Sequence, residues 1–393
     1  VKRLFAFFNI PVDDANNAQN TVEHMKEFFE TFKEYQITVI TSSLWELYPS
    51  GLLQQHVQYI HRYCTQENYL HFHFCNLAQL QDTKFHHPYV IPYAFFKHKI
   101  LHSVDHQDQK FSTKWNRDKF RGLFLSGKSD KLNRIMPLIQ FKELEILNTN
   151  DMEWSLHYVN SQVDAITDVV HKANRDAQEP IRSKKFVAKF LKRHARNPDQ
   201  ISHVKAGGAF HHDGVPFDHT LYENTSFSFI SESNSCPETG SNWITEKTWR
   251  AILNHHPFIM FAEPRMLECL SKQGYRTFEK YFPEKYDHIY NTLQRYDTIY
   301  RNITWLKDNW NTLPFDQINQ DIVHNYELLV SSYNEEQKQL RSQINYTAND
   351  EKLNLLLFMS EAYEQPKKIG VDHLVYYNWG SLPENKFIET ERT

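Results

Sequence analysis

Glu246 and Lys247 stand side by side at the start of the run Trp243-Ile244-Thr245-Glu246-Lys247-Thr248-Trp249-Arg250-Ala251-Ile252-Leu253. The run has helical periodicity, and His256-Pro257-Phe258-Ile259-Met260-Phe261 follows it as a Pro-bounded apolar strand. The first turn of such a helix lies at the carboxyl end of the preceding strand, the edge at which open α/β sheets hold nucleotides. Exposed N–H groups at a helix start favour phosphate, and a Lys beside them adds a mobile positive charge. A neighbouring Glu can accept hydrogen bonds from ribose hydroxyls.

The strand that leads into this corner is legible as well. Ser226-Phe227-Ser228-Phe229-Ile230-Ser231 alternates polar and apolar and ends at Glu232-Ser233-Asn234. Glu232 therefore belongs to the same edge as Glu246 and Lys247. Ser231, Ser233, Asn234 and Thr245 add short polar side chains there. A bare Glu-Lys pair is usually a solvated helix surface. The ordered set of strand, acid, loop, Thr-Glu-Lys, helix and His-Pro strand is what raises this one above that reading.

At these residues, over 220–280, the chain resembles the carboxyl-terminal domain of the α-1,3-fucosyltransferase family. In that family a strand ending in Phe-Glu-Asn-Ser precedes a Tyr-(Ile/Val)-Thr-Glu-Lys motif. Glu232 matches the first Glu, and Thr245, Glu246 and Lys247 match directly; Ser233 and Asn234 stand in exchanged order. The resemblance implies a nucleotide-sugar-dependent glycosyltransferase of GT-B type, with Glu246 on the ribose and Lys247 on the phosphates. It also implies a diphosphate-binding Arg at the first turn of the second lobe, where Lys128-Ser129-Asp130-Lys131-Leu132-Asn133-Arg134 offers Arg134 first and Lys128 second. A guanidinium fork suits two phosphate oxygens.

An inverting transfer needs a general base near the acceptor hydroxyl. Asp13 and Asp14 after the first strand and Glu46 after the second are the candidates; with a CMP-ulosonate donor, Glu232 or Asp213 could contact the sugar directly, even as a nucleophile. The sequence lacks an Asp-x-Asp pair; Asp151-Met152-Glu153 is the nearest spacing. The expectation is therefore metal-independent transfer with no cofactor, the nucleotide-sugar being substrate. The His pairs at 71/73, 86/87, 211/212 and 255/256 carry no zinc-ligand pattern. His211-His212-Asp213-Gly214 and His256-Pro257 bring in a second donor class, a CMP-ulosonate of Kdo or sialic-acid type. The non-enzymatic rival is a carbohydrate-binding or structural protein on the same fold.

The elements that must position these residues follow from composition and periodicity. At 393 residues the chain can form two domains, and 40% apolar with 23% charged residues suits folded, water-facing domains. A net charge of -4 gives no global pull toward nucleic acid or anionic lipid. With 10 Gly and no Gly-rich phosphate loop, any phosphate site must use helix starts and side chains. Four Cys without C-x-x-C spacing read as reduced thiols. No apolar run is long enough to span a membrane, and the amino end reads as a strand, so a cytoplasmic location is expected, with peripheral association at the inner membrane face. Sequons at Asn224, Asn302 and Asn345 read as chance matches.

The first third reads β-α-β-α-β, with strands at 4–10, 37–41 and 69–75 and helices at 17–35 and 52–64. A second series starts at Gly122, and helices dominate from 283 onward. The expected fold is α/β: two Rossmann-like lobes facing a cleft, with carboxyl-terminal helices. Residues 1–117 form the acceptor lobe, 118–340 the nucleotide-sugar lobe, and 341–393 a helical segment packing back. Donor and acceptor would be a nucleotide-sugar and a glycan or glycolipid hydroxyl, in surface polysaccharide or lipopolysaccharide synthesis.

Overall fold

A computed structural model of the chain describes residues 3–9, 17–31, 33–34, 36–43, 50–76, 90–93, 111–126, 132–143, 145, 151–156, 218–232, 244–282, 285–348, 373–377 and 388–391. Its contacts divide the chain into two units. One comprises Val1–His102, Ser235–Trp243 and Tyr333–Thr393; the other comprises Ser103–Asn234 and Ile244–Ser332.

The first unit holds a six-stranded sheet made of β1 (Arg3–Asn9), β2 (Gln36–Ser43), β3 (Leu70–Asn76), β4 (Val90–Tyr93), β9 (His373–Tyr377) and β10 (Ile388–Glu391), in the order β10-β9-β1-β2-β3-β4. All neighbours are parallel except β10 on β9. Helices α1 (Asn17–Thr31) and α2 (Ser50–Gln66) make the parallel crossovers. Ala18, Val22, Met25 and Phe29 bury one face of α1, as a 3.6-residue period requires. On β2 and β3, Val39 stands beside His71 and Thr41 beside His73. The Thr41 hydroxyl bonds both rings, to His71 Nε2 at 2.8 Å and His73 Nδ1 at 2.9 Å. Burial lowers both imidazole pKa values, His73 to about 3, so these histidines are neutral core residues.

The second unit is built on β5 (Gly122–Ser126), β6 (Met152–Leu156), β7 (Phe227–Ser231) and β8 (Phe258–Phe261), a parallel sheet in the order β6-β5-β7-β8. Its helices are α3 (Leu132–Glu143), α4 (Thr220–Glu223), α5 (Glu246–Leu253), α6 (Met266–Lys272) and α7 (Thr292–Asn309); α8 (Phe315–Ala348) belongs to it up to Ser332. A parallel α/β sheet with helical crossovers is compatible with a Rossmann-like fold. The faces of β7 are specialised by its alternation. Phe229 packs on Phe141 of α3 with ring centroids 4.9 Å apart, and Phe227 meets Phe282 and Trp310. Ser228 points to the other face, where His256 bonds it. Gly122 is required by the Phe face: a Cβ there would stand 2.3 Å from Phe229 Cε2.

Two expectations are corrected. Residues 111–117, expected within the first lobe, bond into the second unit: Ser112 N–H donates to Asn254 Oδ1 and Trp115 Nε1–H to the Ser226 carbonyl. Beyond Ala348 the described residues are strands, not helices, because His373–Tyr377 completes the sheet beside β1. Val90–Tyr93 pairs with β3 as an edge strand, where Pro92 is tolerated. Residues 157–217 and 349–372 lie outside the described residues. Asn302 is fully buried, so its sequon is internal. Among the described residues, no helix is long and apolar enough to cross a membrane.

Candidate functional site

The strand order defines where a ligand would sit. From β5 the chain runs through α3 and on to β6; from β7 it runs through α5 to β8 on the opposite side. β5 and β7 are neighbours whose connections diverge, so their carboxyl ends form a topological switch point, where open α/β sheets hold ligands. Arg134 and Glu246-Lys247 belong to the first turns of the two helices leaving that edge.

Glu232 immediately follows β7 and is wholly buried. Its Oε1 accepts the Thr245 N–H at 3.1 Å and the Thr248 hydroxyl, and its Oε2 accepts the Thr245 hydroxyl. Thr245 is the extended N-cap of α5, yet its own side chain makes no capping bond. The carboxylate of Glu232 replaces that cap from across the loop, and a negative charge there also suits the helix dipole. Glu232 thus ties the strand end to the helix start.

Lys247 Nζ donates to Thr245 Oγ1 at 3.1 Å and to Glu246 Oε1 at 2.9 Å. The Lys247 and Glu246 side chains are each 18% exposed, so the pair is part-buried but reaches the surface. An ammonium has three hydrogens. Two are engaged by these partners, and the third meets no acceptor among the described residues. Burial pushes the Glu246 carboxyl upward, but the Lys247 and Arg250 charges outweigh it and bring its pKa down to about 2. Glu246 is therefore an anion that accepts hydrogen bonds, as a ribose diol would demand. Tyr222 completes the surroundings, its phenol pushed up to about 12 by burial.

Arg250 and Thr248 were missed in the sequence. Both carry a local signal: Arg250 stands four residues after Glu246, the spacing of a helical ion pair, and Thr248 stands three after Thr245. Arg134 is buried in α3, and Ser231 in β7. Glu232, Thr245, Glu246 and Lys247 are brought together. Asp13, Asp14, Glu46, Lys128, Ser233 and Asn234 lie outside the described residues, as does Asp213.

His256 has a different task from the one its His-Pro context suggests. Nε2 lies 2.8 Å from the Tyr222 carbonyl and 2.9 Å from that of Thr225, so it carries the hydrogen. Nδ1 accepts the Ser228 hydroxyl at 2.9 Å. Burial lowers the imidazole to about 4. Both nitrogens hold the protein's own backbone and strand, and the ring offers nothing to a CMP-sugar. Asp151 and Glu153 also point away from donor chemistry. They flank the amino end of β6, the opposite edge of the sheet, where Glu153 pairs with Arg121 and Asp151 lies 3.7 Å from Lys307. Among the described residues, no group of three His, Cys, Asp or Glu side chains is placed to hold a metal ion.

Compared with family models, with curated proteins and with solved structures, the chain matches none.

Proposed function

We propose that the second unit binds the nucleotide of a nucleotide-sugar, and that the protein is a metal-independent glycosyltransferase of GT-B type, fucosyltransferase-like in its donor site. The observation that carries the reading is the part-buried Glu246–Lys247 pair on the first turn of α5, at the divergence of β5 and β7. That position gathers a helix dipole, a mobile cation and a fixed anion, which suit phosphate and ribose together. The two-lobed arrangement, with Asp13, Asp14 and Glu46 on the acceptor side, belongs to this proposal. So do the glycan or glycolipid acceptor and the cytoplasmic, membrane-peripheral setting. His256, which motivated a CMP-ulosonate donor, is consumed by backbone carbonyls, so a sugar on a purine or uridine diphosphate is preferred.

Calorimetric titration with GDP, UDP and CMP tests the proposal. One diphosphate should bind, and Lys247→Ala should weaken it by about 1.5–3 kcal/mol, the worth of a charge-assisted hydrogen bond. A folded protein that binds no nucleotide would favour the carbohydrate-binding or structural rival. Unchanged affinity in Lys247→Ala would remove the site from this helix.

A further inference from the structure

A second cationic group at the same sheet edge plays no part in the site above. Arg295 lies in the first turn of α7 and is 1% exposed. Its side chain runs back past the start of the helix, where Nη1–H donates to the Ile289 carbonyl at 2.7 Å. Nε and Nη2 are buried and have no hydrogen-bond acceptor among the described residues. Those two atoms form one edge of the guanidinium, the edge that takes an oxyanion through two parallel hydrogen bonds. Leaving both unsatisfied is costly, because each buried donor has lost its water.

The surroundings fit an anion. α7 has no acidic residue in its first turn, so its positive end meets no carboxylate of its own. Among the described residues, Glu263, two residues beyond β8, is the acid that pairs with Arg295. Its Oε2 stops 3.7 Å from Nη2, beyond hydrogen-bond distance, and its side chain is 34% exposed. Glu263 therefore covers the guanidinium without satisfying it and can swing outward. The place is the carboxyl edge of the sheet, since Glu232 N–H donates to the Phe261 carbonyl at 3.2 Å and Glu263 follows Phe261 by two residues.

We propose that Arg295 and the amino end of α7 form a phosphate seat, separate from Glu246 and Lys247, which a phosphate group enters by displacing Glu263. A doubly charged phosphate competes better than one carboxylate for a guanidinium edge and a helix amino end. The seat does not depend on the nucleotide-sugar reading.

The test is calorimetric titration of the full chain with inorganic phosphate and, separately, with glucose 1-phosphate. Glu263→Gln removes the competing charge at a half-exposed position and keeps the fold. Phosphate should bind this variant at least threefold tighter than wild type, and the gain should persist on a Lys247→Ala background. Tighter binding of the sugar phosphate than of phosphate would identify an esterified ligand; equal binding would identify the free anion. Arg295→Lys, if it folds, should lose the gain. The proposal is overturned if Glu263→Gln binds phosphate no tighter than wild type, if neither protein binds it, or if the gain vanishes with Lys247. A Glu263→Gln protein that is merely less stable would show a structural ion pair instead, and would equally overturn it.

Discussion

Replacing Glu232 with Gln should destabilise the second unit, because the carboxylate is an internal tie. Three donors converge on it: the Thr245 N–H and the hydroxyls of Thr245 and Thr248. Each hydrogen bond to a charged acceptor is worth about 1.5–3 kcal/mol. The amide keeps the volume and one acceptor oxygen, so the pair of bonds on Oε1 can survive without the charge. The group that replaces Oε2 is itself a donor, and the Thr245 hydroxyl must turn. A lower desolvation cost offsets part of the loss. The net expectation is about 2–3 kcal/mol. For a unit of 150–250 residues this lowers the melting temperature by roughly 4–12 °C. Glu232→Ala, which abandons all three donors in a buried site, should cost more. The assay is thermal or urea unfolding followed by far-ultraviolet circular dichroism, with nucleotide affinity measured in parallel at a temperature where the variant is folded. If Glu232→Gln melts within about 1 °C of wild type while activity disappears, Glu232 serves the sugar directly and the reasoning fails.

Acid should unfold the second unit earlier than its carboxylates alone would. The His256 pKa is depressed to about 4 in the fold, so the unfolded chain takes up a proton that the folded one refuses; stability is complete above about pH 6.5 and falls as pH drops toward 4, by up to about 1.4 kcal/mol per unit. Urea midpoints at pH 7 and pH 5 check this, and an unchanged midpoint would show that the ring is not neutral and buried. Glu246, depressed to about 2, adds a further loss only between about pH 4.5 and 2. Gly122→Ala should cost about 1–3 kcal/mol through overpacking against Phe229 and Met152, both buried; a melting curve that superposes on wild type would refute the packing. If the proposed transfer is observed, it should persist in EDTA, and revival by manganese alone would contradict the role given to Lys247. Glu46→Gln or Asp13→Asn should reduce transfer while leaving nucleotide affinity intact; loss of nucleotide binding instead would reverse the assignment of the two lobes.

Periodicity in the sequence determined a good deal here. The spacing of Val22, Met25 and Phe29 placed α1, the alternation through Phe227 and Phe229 placed β7, and Thr245-Glu246-Lys247 marked the start of α5. These signals are local: a helix repeats every 3.6 residues and a strand every two, so neighbours in the chain suffice to read them. Other features were beyond that reach. The order β6-β5-β7-β8, which makes the edge a topological switch point, depends on strands choosing partners far away in the chain. So does the pairing of β1 with β9, whose residues 373–377 were read as part of a helical tail. The same limit applies to the polar side chains. Glu232 and His256 have the composition of ligand-binding groups, but a buried acceptor or donor is claimed by whatever complementary group the fold brings within 3 Å. Thr245 and Thr248 claimed the first; Ser228 and the carbonyls of Tyr222 and Thr225 claimed the second. Lys247 and Glu246 reach the surface because they stand on the first turn of a short helix whose remaining residues, Thr248–Leu253, are all buried. Tertiary packing, not residue type, decided which of these charges was left at the surface.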